Sequence, residues 1–464
     1  MQLLPRLCMA TGKGDGDGEA NGGSGKLATA VSSSSSTVST SSSSAAAAAA
    51  AVSEASSSTS LPSLPSLSSA TSASLAASFV HVTTLLPLSG SPASSAAAAA
   101  VVAAADSLHG LVVARPASVS LHDLSTLEST STSDAAAATA AAAAGSVKCA
   151  AHLHHHGAAA AVTGHQDGRL RLWRVSSRSP ATVRLAAALP TVADRLRRFP
   201  VPSNHVAVRR HHRRLWIEHA DAVSGVAASA DGRLLFSVSW DKTLKIWSLP
   251  SLRCLQSLPA HDDAVNAVAV SPDGTVYTAS ADKRVRVWAP RPAGDKPRRL
   301  PGKKHRPAYH LVATLSRHTA AVNALAVGCG GQALYSGGND RSVVVWERED
   351  SASHTVAIGV LRGHRRAVLS VACAAGGLVV SGSADQAVRA WRRAADGRGY
   401  ACVAVIEGHG AAVRSVAAAL VAPVPALKRQ RGGGAGEEEE EWRVCSASFD
   451  GEVRVWSLRV ASGL

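Results

Sequence analysis

Residues 237–249 read SVSWDKTLKIWSL, and the order of their parts decides the fold. Asp241 sits in a polar turn, an apolar/polar alternation follows, and Trp247 lies six residues beyond the aspartate. The same figure returns at Asp282–Trp288, Asp340–Trp346, Asp385–Trp391 and Asp450–Trp456, with an earlier copy at Asp167–Trp173. Upstream of the last five lie His219, His261, His318, His364 and His409, each leading into another alternating run. Trp247 and Trp288 are 41 residues apart, and Trp346 and Trp391 are 45 apart, where nothing is inserted. Self-similarity at such a period marks units that cannot bury their apolar faces alone and must pack on their neighbours.

Within a unit the alternation has a period of two. In RVRVW, Val285 and Val287 share one face of a strand while Arg284 and Arg286 take the other. Turn signals such as SPDG at 271–274 keep the strands short. Short antiparallel strands in repeated sets imply four-stranded blades around a channel, an all-β propeller whose closure hides sheet edges. Five sharp units end at Trp247, Trp288, Trp346, Trp391 and Trp456. A sixth runs from GSVKCAAHL through TGHQDGRLRLW, and a degenerate first unit starts near Phe79 without a closing tryptophan. The expected count is seven blades over residues 77–464. The strand near Phe79–Leu85 is expected to complete the last blade, because the chain stops soon after Trp456.

Residues 1–76 hold serine and alanine runs, GKGDGDGEANGGSGK and LPSLPSLSS. That composition buries too little apolar surface to offset its ordering entropy, so a disordered tail is expected. Three insertions break the repeats. They carry Arg209–Arg214, KPRRLPGKKHRP at 296–307, and ALKRQRGGGAGEEEEEW at 426–442. Each basic cluster reads as solvated loop charge first, and as an import signal or phosphate-contacting patch second.

Bulk composition bounds the function. The net charge of +15 suits an anionic partner, such as nucleic acid, an acidic protein segment or an anionic lipid surface, although it lies in separate loop clusters. Seven scattered cysteines without CxxC spacing read as buried thiols in a reducing compartment, which places the protein in cytoplasm or nucleus. No strongly apolar run is long enough to span a bilayer. The histidines at 152 and 154–156, near Cys149, lack paired metal-ligand spacing and read as an exposed turn, so no metal or cofactor is expected.

Histidine, serine and aspartate recur in a form that resembles a hydrolytic triad: His219/Ser239/Asp241, His261/Ser280/Asp282, His364/Ser383/Asp385 and His409/Ser448/Asp450. Adding Trp247, Trp288, Trp391 and Trp456 gives a structural tetrad instead. The indole N–H donates to the serine, the serine to the imidazole, and the imidazole to the turn aspartate, so every buried polar atom is paired. A nucleophile needs an exposed oxygen and an oxyanion site, which this pattern does not supply, so no catalysis is expected. Two units depart from the pattern, and their blades are expected to be held more by apolar packing. Gly338 replaces the serine two before Asp340, and His165 stands two before Asp167 with no matching upstream histidine.

The repeats resemble the WD40 family. TGHQDGRLRLW, VAVRRHHRRLWIEHADAVSGVA, SVSWDKTLKIWSL, AHDDAVNAVAV and LRGHRRAVLSVA, in that order, are similar to the plant JINGUBANG-type WD40 proteins over residues 78–459. The resemblance implies a seven-bladed, non-enzymatic interaction protein of cytoplasm and nucleus, monomeric on its own, with a transcription factor as one kind of partner. It also implies that one face presents the residue before each turn aspartate and one early in each inner strand. Here those are Trp240, Ala281, Asn339, Ala384 and Phe449, then Ser224, Asn266, Asn323, Leu369 and Arg414. Trp240, Phe449 and Arg414 are the expected hot spots, since aromatic and arginine side chains dominate interface energetics. Two other functions stay open. Arg459, three after Trp456, is similar to an adaptor-binding box of ubiquitin-ligase substrate receptors, although Ser457 replaces the expected acid or amide. The basic loops suit nucleic acid or an anionic surface, with steep salt dependence.

Overall fold

The computed structural model describes residues 64–67, 77–85, 101–104, 110–116, 118–124, 126, 129–133, 145–155, 158–175, 182–209, 212–291, 309–349, 351–394, 399–421 and 439–461. The tail expectation for residues 1–63 lies outside them, as do the basic run at 296–307 and residues 428–431.

Seven four-stranded antiparallel blades follow one another. Blade 1 holds β2 (Val101–Ala104), β3 (Gly110–Arg115), β4 (Ser118–Asp123) and β5 (Ser129–Ser133). Blade 2 holds β6 (Val147–His155), β7 (Ala158–His165), β8 (Leu170–Val175) and β9 (Thr182–Leu189). After helix α1 (Val192–Arg198) and a hairpin of β10 (His205–Arg209) and β11 (His212–Leu215) comes blade 3, β12 (Val223–Ala228) to β15 (Arg253–Pro259). Blade 4 runs from β16 (Val265–Val270) to β19 (Tyr309–Ser316), blade 5 from β20 (Val322–Val327) to β23 (Thr355–Arg362), and blade 6 from β24 (Val368–Ala374) to β27 (Tyr400–Ile406). Blade 7 is built from β28 (Val413–Val421), β29 (Glu439–Ser448), β30 (Val453–Ala461) and, as its outer strand, β1 (Ala77–Leu85).

The pairing Phe79↔Leu458 and Leu85↔Val453 therefore ties the first described strand to the last and closes the ring. An apolar cluster fills each junction between blades. Tyr277 and Val287 meet Leu334 and Trp346 between blades 4 and 5, and Leu111 and Val113 meet Ala447 and Val453 between blades 1 and 7. In six turns the residue after the aspartate takes a positive φ: Gly168, Lys242, Lys283, Arg341, Gln386 and Gly451. That left-handed residue brings the aspartate carboxylate back over the turn, and four non-glycine residues accept it because the turn is bonded on both sides.

Two expectations need correction. The tail boundary at residue 76 leaves out Leu64–Leu67, which lie on the propeller. The amides of Leu67 and Val360 donate to Val360 O and Pro65 O, and the Tyr400 amide donates to Leu67 O, all at 3.0 Å. LPSLPSL is thus in part a strap across the outer strands of blades 5 and 6, with Leu67 against Gly359, where a larger side chain would collide with it. Low complexity concealed a short apolar segment that repays its ordering by burial. Most of the histidine run is not in a turn either: His152–His155 continue β6, paired with Ala158–Ala161 of β7, while His156 lies outside the described residues.

Candidate functional site: the aspartate-turn face

One end of the ring carries every aspartate turn and the start of every inner strand, and the links beneath it set its shape. In blade 3 the Trp247 indole donates to Ser237 Oγ at 2.8 Å, Ser237 lies 2.8 Å from His219 Nε2, and His219 Nδ1 lies 3.1 Å from Asp241. Blade 4 repeats this with Trp288, Thr278, His261 and Asp282, blade 5 with Trp346, Ser336, His318 and Asp340. Blades 6 and 7 use Trp391, Ser381, His364 and Asp385, then Trp456, Ser446, His409 and Asp450. The aspartate also accepts from backbone, as from the Ala220 and Arg365 amides at 2.8 Å.

The hydroxyl in each link is not the expected one. Ser239, Ser280, Ser383 and Ser448 lie two residues closer to the turn. Ser239 donates to Asp221 O and accepts from the Asp241 amide, a cap on the turn and not a rung of the tetrad. Strand alternation puts both serines of a blade on one face, but only the deeper one reaches the indole. Gly338 consequently breaks nothing, and the blade 5 tetrad is complete through Ser336. In blade 2, Trp173 donates to Thr163 at 2.7 Å, and His165 Nε2 meets the same hydroxyl at 2.8 Å. That blade, expected to rely on apolar packing, keeps a three-member link, while Asp167 turns to Arg171 at 2.9 Å. A hydroxyl stands ten residues before the tryptophan in all six units, but eight before it in only four. That internal comparison identifies the right serine.

Charge follows from this packing. Burial pushes His219 below its ordinary value despite the opposing pull of Asp241, and burial holds His165 down to about 4. Burial alone would raise the aspartates, but bonds from the histidine, the turn residues and backbone amides hold Asp241, Asp282 and Asp385 below the ordinary carboxylate range. The hydroxyls are wholly buried and each already holds two partners, so they offer no open nucleophile. Burial likewise pushes the Cys254 and Cys445 thiols up to about 12, which leaves them unreactive.

Of the expected contact residues, three are exposed: Trp240 at 38%, Phe449 at 40%, and Asn339, which accepts from Asn323 at 2.7 Å. The inner-strand set is mostly spent on the ring itself. Asn266 donates to Val322 O at 2.9 Å and Asn323 to Val368 O at 2.8 Å, each stitching its blade to the next, and Ser224 reaches Val265 O in the same way. Leu369 holds the equivalent place in blade 6, half-buried and with no side-chain polar group to donate. Arg414 donates to Val147 O at 2.7 Å and Lys148 O at 3.0 Å, spanning blade 1 to reach blade 2. Its burial lowers its pKa to about 10, so Arg414 is a strut before it is a hot spot. The strut still borders the exposed aromatics, with its guanidinium 5.8 Å from the Phe449 ring and Lys148 Nζ 5.4 Å from that of Trp240. Phe449, Arg414, Lys148 and Trp240 therefore form one aromatic–cation–cation–aromatic line along the rim.

Elsewhere, Ser457 donates to Glu441 at 2.6 Å and Arg459 lies 3.4 Å from the same carboxylate, so both members of the adaptor-like box are engaged within blade 7. Among the described residues no helix is long and apolar enough to cross a membrane.

The family model described as WD domain, G-beta repeat matches residues 211–248, 252–289, 309–347, 356–392 and 400–457, which are blades 3 to 7. The chain is 27% identical over 161 residues to nuclear distribution protein PAC1 of Coccidioides posadasii, covering 33% of each chain. It is 28% identical over 137 residues to mitochondrial division protein 1 of Schizosaccharomyces pombe, covering 28% of this chain and 20% of the relative. With pre-mRNA-processing factor 19 of Bos taurus it shares 34% identity over 71 residues, 15% of this chain and 14% of the relative. The matches thus span a third or less of these relatives. Five matched repeats, set in a ring whose blades are bonded through tryptophan, hydroxyl, histidine and aspartate, place the chain among the WD40-repeat proteins.

Proposed function

We propose that this propeller is a non-enzymatic scaffold that holds other proteins on its aspartate-turn rim. The observation that carries the reading is the Phe449–Arg414–Lys148–Trp240 line: two exposed aromatics beside two cations, of which Arg414 is held in place by its donation to the Val147 and Lys148 carbonyls. Rigid aromatic and cationic side chains lose little entropy on docking, which makes them effective anchors. The finer reading is a regulator of the JINGUBANG type, acting in cytoplasm or nucleus with a transcription factor among its partners. It is supported by the order of the repeat blocks and by the basic insertion between blades 2 and 3. Proximity labelling of wild-type chain against Trp240→Ala and Phe449→Ala tests the scaffold: the variants are expected to lose a shared set of neighbours, and an unchanged set would refute rim binding.

A further inference from the structure

Helix α1 is inside out. Val192, Leu196 and Phe199, at i, i+4 and i+7, form an apolar stripe, yet they are 69%, 67% and 67% exposed. The side facing the propeller is charged: Asp194 is 2% exposed and pairs with Arg198 at 3.1 Å, and Arg198 reaches Cys254 O. The hairpin that follows exposes Val206 and Val208 on one face of β10. Half of the 14 large apolar side chains exposed among the described residues lie here: Val192, Leu196, Phe199, Val201, Val206, Val208 and the neighbouring Trp240. A monomer seldom keeps such a patch without a use for it.

The arm is held firmly. Arg198 stacks 4.5 Å over Trp216, whose indole donates to Asn204 and whose carbonyl accepts from the buried Lys245 at 2.6 Å. Arg195 pairs with Glu218 at 2.6 Å. Clefts of about 660 Å³ and 640 Å³ flank the hairpin, one lined by Leu196, Phe199 and Arg213, the other by Val206, Val208 and Trp240. From Val192 to Glu218 the chain has seven arginines against two acids, and both acids are already paired within the arm. Arg169 and Arg213 are exposed at the first cleft.

We infer that this arm is a docking site for an acidic peptide segment with apolar anchors, supplied by another protein. The inference rests on reading the propeller as a protein scaffold, and adds a second surface beside the rim. Apolar pockets edged by arginine fit alternating carboxylates and large apolar side chains, whereas a flat bilayer would not enter two clefts. Of the chain's own acidic run, the described Glu440 and Glu441 are already engaged, with Arg392 and Arg443 in blades 6 and 7.

The probe is a displayed library of random peptides about 12 residues long, panned on the full chain at low salt. Three targets run in parallel: wild type, the exposed-surface double variant Leu196→Asp/Phe199→Asp, and Phe449→Ala. Wild type and Phe449→Ala are expected to enrich peptides that combine Asp or Glu with Leu or Phe. The double variant is expected to bind the same synthetic peptides at least about tenfold more weakly. Failure of rim binding alone would show in the labelling experiment and leave this selection intact. No enrichment, enrichment of neutral or basic peptides, or equal binding to the double variant would overturn the inference. So would binding to phosphatidylserine vesicles that the double variant abolishes while acidic peptides stay unbound.

Discussion

Ser237→Ala and Ser239→Ala should differ, although the two serines are two residues apart on one face of one strand. Ser237 is wholly buried and joins Trp247 Nε1 and His219 Nε2, both at 2.8 Å. Removing its hydroxyl leaves a buried indole N–H and a buried ring nitrogen without their partner. Each such group costs ~1–3 kcal/mol, so the substitution should cost about 3–4 kcal/mol. Ser239 bonds Asp221 O and the Asp241 amide at the turn, where Asp221 is exposed and water can take over, so its loss should cost about 1 kcal/mol. Ser237→Thr should lose less than Ser237→Ala, because blades 2 and 4 hold Thr163 and Thr278 in the same link. Urea unfolding read by tryptophan fluorescence gives the ranking, and hydrogen exchange at the Trp247 indole gives an independent measure. A loss for Ser239→Ala equal to or larger than that for Ser237→Ala would refute the assignment of the deeper hydroxyl.

Arg414→Met should cost about 2–3 kcal/mol and speed amide exchange in residues 147–150, because it removes donations to two carbonyls across blade 1; unchanged exchange there would show that the strut carries no load. Leu67→Asp should release the strap, with exchange rising at the Val360 and Tyr400 amides and stability falling by about 1–2 kcal/mol. Acid should weaken the fold in two stages. His165, held near 4 against an ordinary 6.5, stays neutral in the fold while the unfolded chain takes up its proton, so its contribution is full above pH 6.5 and lost as pH falls toward 4. That gap is worth about 3 kcal/mol. The turn aspartates then fail below their ordinary 3.8, so a urea midpoint that stayed constant from pH 7 to 4.5 would contradict the burial of these histidines.

The repeats were legible because each blade needs the same few residues at the same spacing, and period-two alternation separates core from solvent without any tertiary knowledge. Blade count and the pairing of the first strand with the last follow from that, but the borders of blade 1 do not. The unit expected to start near Phe79 starts at Val101, and its outer strand, STSTS at Ser129–Ser133, has no apolar alternation. Depth within a strand does not follow either. Ser237 and Ser239 are equivalent to a period-two reading, and only the reach of the Trp247 side chain tells them apart. The arm misleads for a related reason: Val192, Leu196 and Phe199 have the spacing of a core-facing stripe, but the arm's charged side is claimed by Arg198 and Asp194 against blade 3. Arg414 was legible as a rim residue but not as a strut, since its length matters only where blade 1 has a short inner strand.

Blade 1 shows why a closed ring tolerates a weak member. It has no closing tryptophan, and β2 has four residues where β6 and β28 have nine. Its support comes from outside. Ser415 of blade 7 donates to Val102 O and accepts from the Val102 amide, Arg115 donates to Leu85 O at the end of β1, and β5 lies parallel to β9 of blade 2. Arg414 passes over it. In an open array such a unit would fray from one side, but in a ring both neighbours must part before it loses its apolar contacts. Local opening should therefore start at blade 1, with protection against hydrogen exchange lowest in 101–133 and highest in blades 3 to 6, where every link from tryptophan to aspartate is present. The rim line crosses that same blade. A partner that bridges Phe449 and Trp240 would clamp the least stable part of the ring, so binding at the rim should raise protection in blade 1 more than anywhere else. A partner that protected blades 4 and 5 instead would place the contact on the opposite side of the channel and contradict the rim assignment.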